Sequence, residues 1–293
     1  MPAKVQPDLP PVLTTLSSLR AQVAAWRKAG DTIALVPTMG ALHKGHISLV
    51  ERATKHKPKA TVRVVVSIFV NPAQFAPTED FARYPRDLDA DRAKLADAEV
   101  AAILAPTVDV MYPAGHSVMV EPGTAADGLE TAFRPHFFKG VTTVCCKLFN
   151  QVTPDFAIFG EKDYQQLCVI RQMVRDLDMS LDIVGAPTVR DTDNLALSSR
   201  NRYLSSDERH KAVALPQALY LVGQAVHKDS KPASIDRAVT VARAFLETQG
   251  FTSVDYVAVR DAETLGAYTP GKPGRILGAA WMGKTRLIDN RPL

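Results

Sequence analysis

Cysteine is scarce in this chain of 293 residues: Cys145, Cys146 and Cys168 are odd in number and lack the spacing of a metal-binding set. That usage excludes a disulfide framework and suits a reducing compartment. The adjacent Cys145 and Cys146 lie in an apolar stretch and are expected to be buried thiols. Long hydrophobic runs are missing too. None reaches the roughly 18 residues that a membrane-spanning helix needs. The opening stretch MPAKVQPDLPPVL is proline-rich and has no apolar centre of the signal-peptide kind, so a cytoplasmic location is expected. Charge of one sign is equally weak. A formal net charge of +4 over this length is too mild to imply nucleic-acid binding without a basic patch. The densest cluster, Lys55-His56-Lys57-Pro58-Lys59, reads as a solvated helix end. There is no repeat and no low-complexity segment. No Gly-x-Gly-x-x-Gly follows any strand, which disfavours a nicotinamide-dependent oxidoreductase.

What is present is the composition of a globular protein with a substantial core, 46% hydrophobic and 23% charged, long enough for one large domain or two ordinary ones. Helical spacing runs through Leu16, Leu19, Val23 and Trp26, and Gly30 offers a stop. Ile33 to Val36 is a short apolar run, as in a strand buried on both faces; Pro37, with no N–H for the ladder, should end it. A turn with Gly40 and Gly45 follows, and a helical pattern starts near His46. Strand, turn and helix start together make a place where backbone N–H groups and the helix dipole face an anion. His43 and His46 lie inside it. A helix N-terminus disfavours imidazolium, so both rings should be neutral, able to donate N–H bonds to phosphate oxygens. The rival readings are a packed or surface pair, or zinc, for which no third ligand stands at a recognisable spacing.

Further along, Val62 to Val70 has the β-branched, near-continuous apolarity of a central parallel strand. It leads into Asn71-Pro72-Ala73-Gln74, where the Gln74 amide can both donate and accept. Asp80 to Ala98 has helical spacing, with Asp87, Asp89 and Asp91 as a solvated face. Val100 to Leu104 is a strand. Gly140 precedes an amphipathic helix carrying Val141, Val144, Leu148 and Phe149. Phe156 to Phe159 is a strand that hands over to Gly160-Glu161-Lys162-Asp163 and a helix through Leu167, Ile170, Val174 and Leu177. Lys162, at a strand end beside a turn, suits a polyphosphate. Thr188 to Leu204 is a polar loop in which Ser198, Ser199 and Arg200 can bond phosphate oxygens. The alternation of strands and helices points to a doubly wound parallel sheet with ligands at the strands' carboxyl ends. Beyond Pro187 the pattern gives helices around Glu208 to His227 and Ile235 to Thr248. Strands follow at Val254 to Val259, Arg275 to Ala280 and Arg286 to Ile288.

Several of these segments, in order, resemble the signatures of the pantothenate synthetase (pantoate–β-alanine ligase) family, in the nucleotidyltransferase superfamily with its HIGH-type motif. They are TMGALHKGH (38–46), SIFVNPAQF (67–75), YPRDLDAD (84–91), FGEKDYQQL (159–167) and the Ser198-Ser199-Arg200 loop. The resemblance implies an α/β fold with a Rossmann-like nucleotide- and pantoate-binding domain over 1–187 and a smaller C-terminal α+β lid domain over 188–293. It implies a cytoplasmic, homodimeric ligase of pantothenate biosynthesis that uses ATP and Mg²⁺, with pantoate and β-alanine as substrates and no nucleic-acid or membrane partner. Reaction would run through pantoyl adenylate, releasing pyrophosphate and AMP. His43, His46, Lys162 and Arg200 would be catalytic. Met39, Gly40, His43, Gly45, His46, Gly160, Glu161, Lys162, Asp163, Val189, Leu197, Ser198, Ser199 and Arg200 would hold ATP. Among the substrate-binding residues for pantoate and β-alanine, Gln74 would hold pantoate and face β-alanine and Gln166 would contact pantoate; Asp91 would help hold the metal.

The sequence departs from the family pattern in two places. In RPHFFKGV, His136 sits one position early and Phe137 takes the place of the usual histidine. In an extended segment that shift would turn the side chain to the opposite face. Asn194 replaces a glycine, which asparagine tolerates because it also accepts positive φ. The alternatives are a cytidylyltransferase-like enzyme with another acceptor and a non-catalytic nucleotide-binding homologue. The C-terminal tail carries no motif of its own.

Overall fold

A computed structural model describes residues 9–76 and 79–293; the reading of the first eight residues lies outside it. The chain divides into two compact units. The first runs up to Gly123 and takes in Arg134–Gly160 and Val169–Ala186. The second holds Pro187–Leu293 together with Thr124–Phe133 and Glu161–Cys168. Two segments from earlier in the chain thus go with the C-terminal stretch that starts at Pro187.

The first unit is built on a six-stranded sheet: β1 (Val12–Leu13), β2 (Thr32–Thr38), β3 (Val62–Ile68), β4 (Ala102–Leu104), β5 (Phe156–Gly160) and β6 (Asp182–Ala186). All neighbours are parallel, in the order β1-β4-β3-β2-β5-β6. Alternate residues of the central strands bury opposite faces. Ala34, Val36, Val64, Val66, Phe156 and Ile158 form one core cluster with Leu49, Val50 and Ala53 of the Lys44–His56 helix. Ile33, Leu35, Val65, Ala157 and Phe159 are buried on the other face. There the Leu16–Lys28 helix packs on β2 and on the Phe137–Val152 helix, and Phe149 meets Phe159 edge-on. Chain order runs outward from β2 through β3 to β4, then returns to β5 and β6 on the other side. The switch point thus lies between β2 and β5, and ligands of such sheets bind beyond the carboxyl ends there.

Pro37 does not end β2, which continues through Thr38 paired with Ile68. Ladder bonding alternates along a parallel strand. The Ile33 carbonyl accepts from Asp155 beside β5, whereas that of Thr38 accepts from Phe69 beside β3. Pro37 shares the β5 side with Ile33, and pairing with β5 ends at Leu35, so no ladder bond is lost. Asp155 also fastens the sheet's start. Both its carboxylate oxygens accept from Arg27 Nη1, at 2.8 and 2.7 Å, and Oδ2 takes the Ile33 N–H at 2.7 Å.

The second unit carries an antiparallel sheet in the order β7 (Ser253–Asp261), β8 (Gly274–Met282), β9 (Thr285–Pro292), with helices Ala214–Lys228 and Pro232–Thr248 on it. Leu215, Leu219, Val222, Leu246, Val257 and Ile276 lie in their shared core. The expected helix over Glu208 to His227 is two helices, Ser206–Lys211 and Ala214–Lys228. The break puts Pro216 in a first turn, where its missing N–H costs nothing. Thr124–Phe133 joins this unit through a buried polar cluster. Glu130 accepts from Arg286 Nη1 at 2.7 Å and from the Tyr256 hydroxyl at 2.8 Å, and Arg286 Nε also reaches Asp255 at 2.7 Å. Burial, with the Glu130 carboxylate alongside, raises the Tyr256 pKa well above its ordinary value. None of the three cysteines is in a disulfide; Cys145 and Cys168 are buried and Cys146 only half so. Burial pushes the Cys145 thiol up to about 12. Among the described residues no helix is long and apolar enough to cross a membrane.

Candidate active site

The turn after β2 is fixed from several sides. Thr38 Oγ1 donates to the Ser67 carbonyl at 2.7 Å and accepts from the Gly40 N–H at 3.3 Å. Gly40 has φ +82°, and a Cβ there would press on Asp91 Oδ2 and Ile68. Even Ala41 adopts φ +53°. Asp91, 1% exposed, accepts the Leu42 N–H at 2.8 Å and Lys94 Nζ at 3.3 Å. It anchors the turn. Among the described residues no three His, Cys, Asp or Glu side chains group to hold a metal ion. In this structure Asp91 Oδ1 is already taken by that N–H and that ammonium.

The helix begins at Lys44, two residues earlier than the spacing indicates, because His43 is its N-cap. His43 Nδ1 accepts the Gly45 N–H at 3.1 Å, and the His43 N–H donates to His46 Nδ1 at 3.2 Å. Two imidazoles here do what Ser and Glu do in a capping box. Their rings lie 4.2 Å apart, centroid to centroid. The consequence is chemical. An Nδ1 that accepts a backbone N–H carries a lone pair, so in each neutral ring the proton sits on Nε2. Of the backbone amides expected to face an anion here, those of Gly40, Leu42, His43 and Gly45 are engaged within the site's own turn and its anchors. Each ring therefore carries its N–H at Nε2, the end away from the capping bonds.

After β3 the chain enters the Pro72–Gln74 turn, capped by Asn71 Oδ1. Asn71 is fully buried, and its two ends cannot be exchanged. Oδ1 takes the Ala73 N–H at 3.3 Å and the Tyr112 hydroxyl at 2.7 Å, while Nδ2 donates to the Gly140 carbonyl at 3.1 Å. Nδ2 also donates to Gln74 Oε1 at 2.8 Å, which fixes the Gln74 amide with its oxygen inward. Sequence reasoning singled out Gln74 and missed Asn71; the signal was an Asx residue two before the turn's first N–H donor. Burial pushes the Tyr112 pKa up to about 12, helped by nearby Cys145 and opposed by the Asn71 bond.

Gly140 lies inside the Phe137–Val152 helix and not before it. It is glycine because a Cβ would overlap the Ala73 carbonyl. Arg134 stacks on Phe137 at 3.8 Å and grips both Glu79 oxygens at 2.7 Å and the Gln74 carbonyl at 3.1 Å. His136 has φ −91° and ψ −12°, with Nε2 buried and unbonded. A one-residue shift in this coiled backbone turns a side chain by about 100°, not to the opposite face as in a strand.

The remaining residues fall in the second unit. Glu161–Asp163 is a single turn leading into the Tyr164–Asp176 helix; Leu177, expected on its apolar stripe, is outside and 51% exposed. Gln165, not Gln166, is the buried one of the pair. Its amide takes the Glu130 N–H at 3.0 Å and donates to the Ala125 carbonyl at 3.2 Å. Gln166 is half-buried beside it. In the 188–204 loop, Arg190 and Ala196 bridge, and the Leu197 N–H donates to the Val189 carbonyl at 3.0 Å. Asn194 turns the loop with φ +73°, the conformation its glycine-like placement requires. Ser198 Oγ caps the Ser199–Tyr203 turn through the Arg200 N–H at 3.2 Å. Arg209 ties the loop down through Asp193 and Asp191, at 2.6 and 2.9 Å. Met39, Gly40, His43, Gly45, His46, Gln74 and Gly160 thus belong to the first unit. Glu161, Lys162, Asp163, Gln166, Val189, Leu197, Ser198, Ser199 and Arg200 belong to the second.

A family model described as pantoate-beta-alanine ligase matches residues 11–292. The chain belongs to the pantoate–β-alanine ligase family. It is 49% identical over 285 residues to the pantothenate synthetase of Mesorhizobium japonicum, covering 96% of this chain and 97% of that one. Identity to the enzyme of a Bradyrhizobium strain is 52%, covering 96% and 98%. Among solved structures, a pantothenate synthetase of Thermus thermophilus is similar with a TM-score of 0.85 at 44% identity, covering 96% and 98%. The enzyme of Francisella tularensis, solved in complex with beta-gamma ATP and beta-alanine, gives 0.78 at 32%, covering 96% and 97%. The chain is a ligase, and its six-stranded parallel sheet with a separate three-stranded antiparallel sheet is the family's architecture.

Proposed function

We propose that this ligase condenses pantoate with β-alanine in two steps driven by ATP. In the first, a pantoate carboxylate oxygen bonds to the α-phosphorus as the bond to pyrophosphate breaks, leaving pantoyl adenylate. In the second, the β-alanine nitrogen, having lost a proton, attacks the acyl carbon. AMP departs and pantothenate remains. The observation that supports this reading is the reciprocal capping of His43 and His46 at a helix N-terminus beyond β2, with rings 4.2 Å apart and each Nδ1 taken by a backbone N–H, so that Nε2 carries the proton. Preorganised donors of this kind stabilise charge that grows on phosphate oxygens without reorganisation during the step.

The other residues take roles by their chemistry. Lys162 and Arg200 neutralise polyphosphate charge. Met39, Gly40, Gly45, Gly160, Glu161, Asp163, Val189, Leu197, Ser198 and Ser199 shape and hold the nucleotide. Gln74, its oxygen held inward by Asn71, offers its NH₂ to pantoate oxygens, and Gln166 offers a second amide. Mg²⁺ enters with ATP as part of the substrate, where it offsets phosphate charge. The chain is read as a cytoplasmic homodimer, and sedimentation at twice 31.9 kDa would support the assembly. The decisive test is exchange of labelled pyrophosphate into ATP. It should require pantoate and not β-alanine. Exchange that waits for β-alanine would argue for a concerted reaction. Exchange under neither condition, with no AMP formed from all three substrates, would favour a homologue that binds without turnover.

A further inference from the structure

The structure assigns a positioning role to Asp289 and Asn290, adjacent residues of β9. We infer that together they set the Lys162 turn and the 188–200 loop at the spacing that phosphate chemistry requires. The inference rests on the ligase reading above. Neighbouring residues of a strand point to opposite faces, so an edge strand normally exposes one of any such pair. Here both are buried, Asp289 at 4% and Asn290 at 3% exposure. Each face meets a different functional segment.

On one side Asn290 Nδ2 donates to the Lys162 carbonyl at 2.7 Å and the Glu161 carbonyl at 2.9 Å. Its Oδ1 accepts from Arg275 Nε at 2.7 Å. Arg275 is itself 7% exposed, stacks on the Tyr164 ring at 3.9 Å and reaches Glu161 at 3.2 Å. Every hydrogen of the Asn290 amide is thus committed to the turn that carries Lys162, and only an amide supplies two donors and an acceptor there. On the other side Asp289 forks onto Arg190, with both contacts at 2.8 Å. Arg190 in turn donates to the Asn194 carbonyl at 3.0 Å, four residues before Ser198. Glu161 of the turn and Thr188 and Asn194 of the loop line one cavity of about 340 Å³ together with Arg190, Arg275 and Asn290. Each of the two segments is thus bonded to its own residue of the same strand.

A positioning residue acts through the group it places. Asn290→Ala should therefore lower kcat for pantoate-dependent pyrophosphate exchange by about a hundredfold and move KM for ATP by less than about threefold. In a Lys162→Ala background the same substitution should cost less than about threefold, because the displaced group is already gone. Thermal unfolding is followed on all four proteins. Equal losses in both backgrounds overturn the proposal, as does activity loss that only tracks unfolding. Should Asn290→Ala not fold, Asn290→Ser keeps one donor for the Lys162 carbonyl and takes its place in the cycle. Failure of both to fold overturns the proposal, since the pair is then a stability element. A wild-type chain with no pantoate-dependent exchange overturns the ligase reading beneath it. An active wild type with multiplicative losses overturns only the role of β9.

Discussion

Asn71→Asp is the substitution that most directly tests how Gln74 is aimed. It keeps size and shape, and the retained oxygen still accepts from Ala73 and Tyr112. The lost NH₂ becomes an oxygen facing Gln74 Oε1 and the Gly140 carbonyl, formerly 2.8 and 3.1 Å away. Two acceptors now confront a third in a fully buried place. A neutral carboxyl can restore one of the two donated bonds, so the acid form costs about 1 kcal/mol. The ionised form is disfavoured by burial and by both oxygens, which raises the folded-state pKa by about three units.

The sign then follows. The folded state prefers the protonated form, so the titration penalty is absent below the unfolded value of about 3.9 and grows by about 1.4 kcal/mol per pH unit up to the folded value. The total loss is about 2.5 kcal/mol at pH 5 and about 5 kcal/mol at pH 7. Urea unfolding of both proteins across that range measures it. The Gln74 amide has a remedy: it can rotate to offer its NH₂ to the new carboxylate, which turns its oxygen toward pantoate. KM for pantoate should rise by roughly tenfold to a hundredfold. A stability loss that does not change with pH, or an unchanged pantoate KM in folded protein, would refute the assignment of the two amides.

Three further outcomes follow from the same geometry. His46→Ala should cut turnover about a hundredfold and also cost about 1 kcal/mol, because Nδ1 caps the helix. His46→Asn, which can mimic Nδ1 alone, should keep the stability and lose the rate, whereas an unchanged rate would return the ring to a packing role. Burial opposes ionisation of Asp155, but the Arg27 bond, the Ile33 N–H and the Arg27 and Lys57 charges outweigh it and hold its pKa below the usual range. The stability it contributes is present above about pH 4 and lost as pH falls through the folded value. Asp155→Asn should therefore be less stable at neutral pH and less acid-sensitive below it, as guanidinium unfolding at several pH values will show. Finally, His136→Gly with Phe137→His should change exchange by no more than roughly tenfold, and a silent parent revived by the swap would mark the natural chain as non-catalytic.

Much of the first unit was legible because parallel strands advertise themselves. Val62 to Ile68 is mostly β-branched, and the apolar run at Ile33 is bounded by turn residues. What misled was local. Pro37 reads as a stop because a sequence does not say which neighbour a given N–H would face. The turn at Gly40 reads as a nest of open amides, since nothing in TMGALHKGH shows that Asp91, 49 positions away, takes the Leu42 N–H. The histidines were visible as a pair; that they cap one another, and which nitrogen thereby keeps its proton, was not.

The C-terminal sheet shows a deeper limit. Period-two reasoning looks for apolar residues on the buried face of a strand, and by that measure the last strand ends at Ile288. The structure continues it to Pro292 through Asp289 and Asn290, because their partners are charges and carbonyls from elsewhere in the chain. A buried polar pair is invisible to hydrophobic pattern when its complement is supplied by a loop 99 residues earlier and a turn 128 residues earlier. It also could not persist without that complement, since a buried carboxylate or amide left unpaired costs more than either contact returns. The presence of polar residues where a core should be is therefore itself a sign of a partner. In a chain whose motifs are proposed to bind a polyanion, the partners to look for first are the segments that carry those motifs.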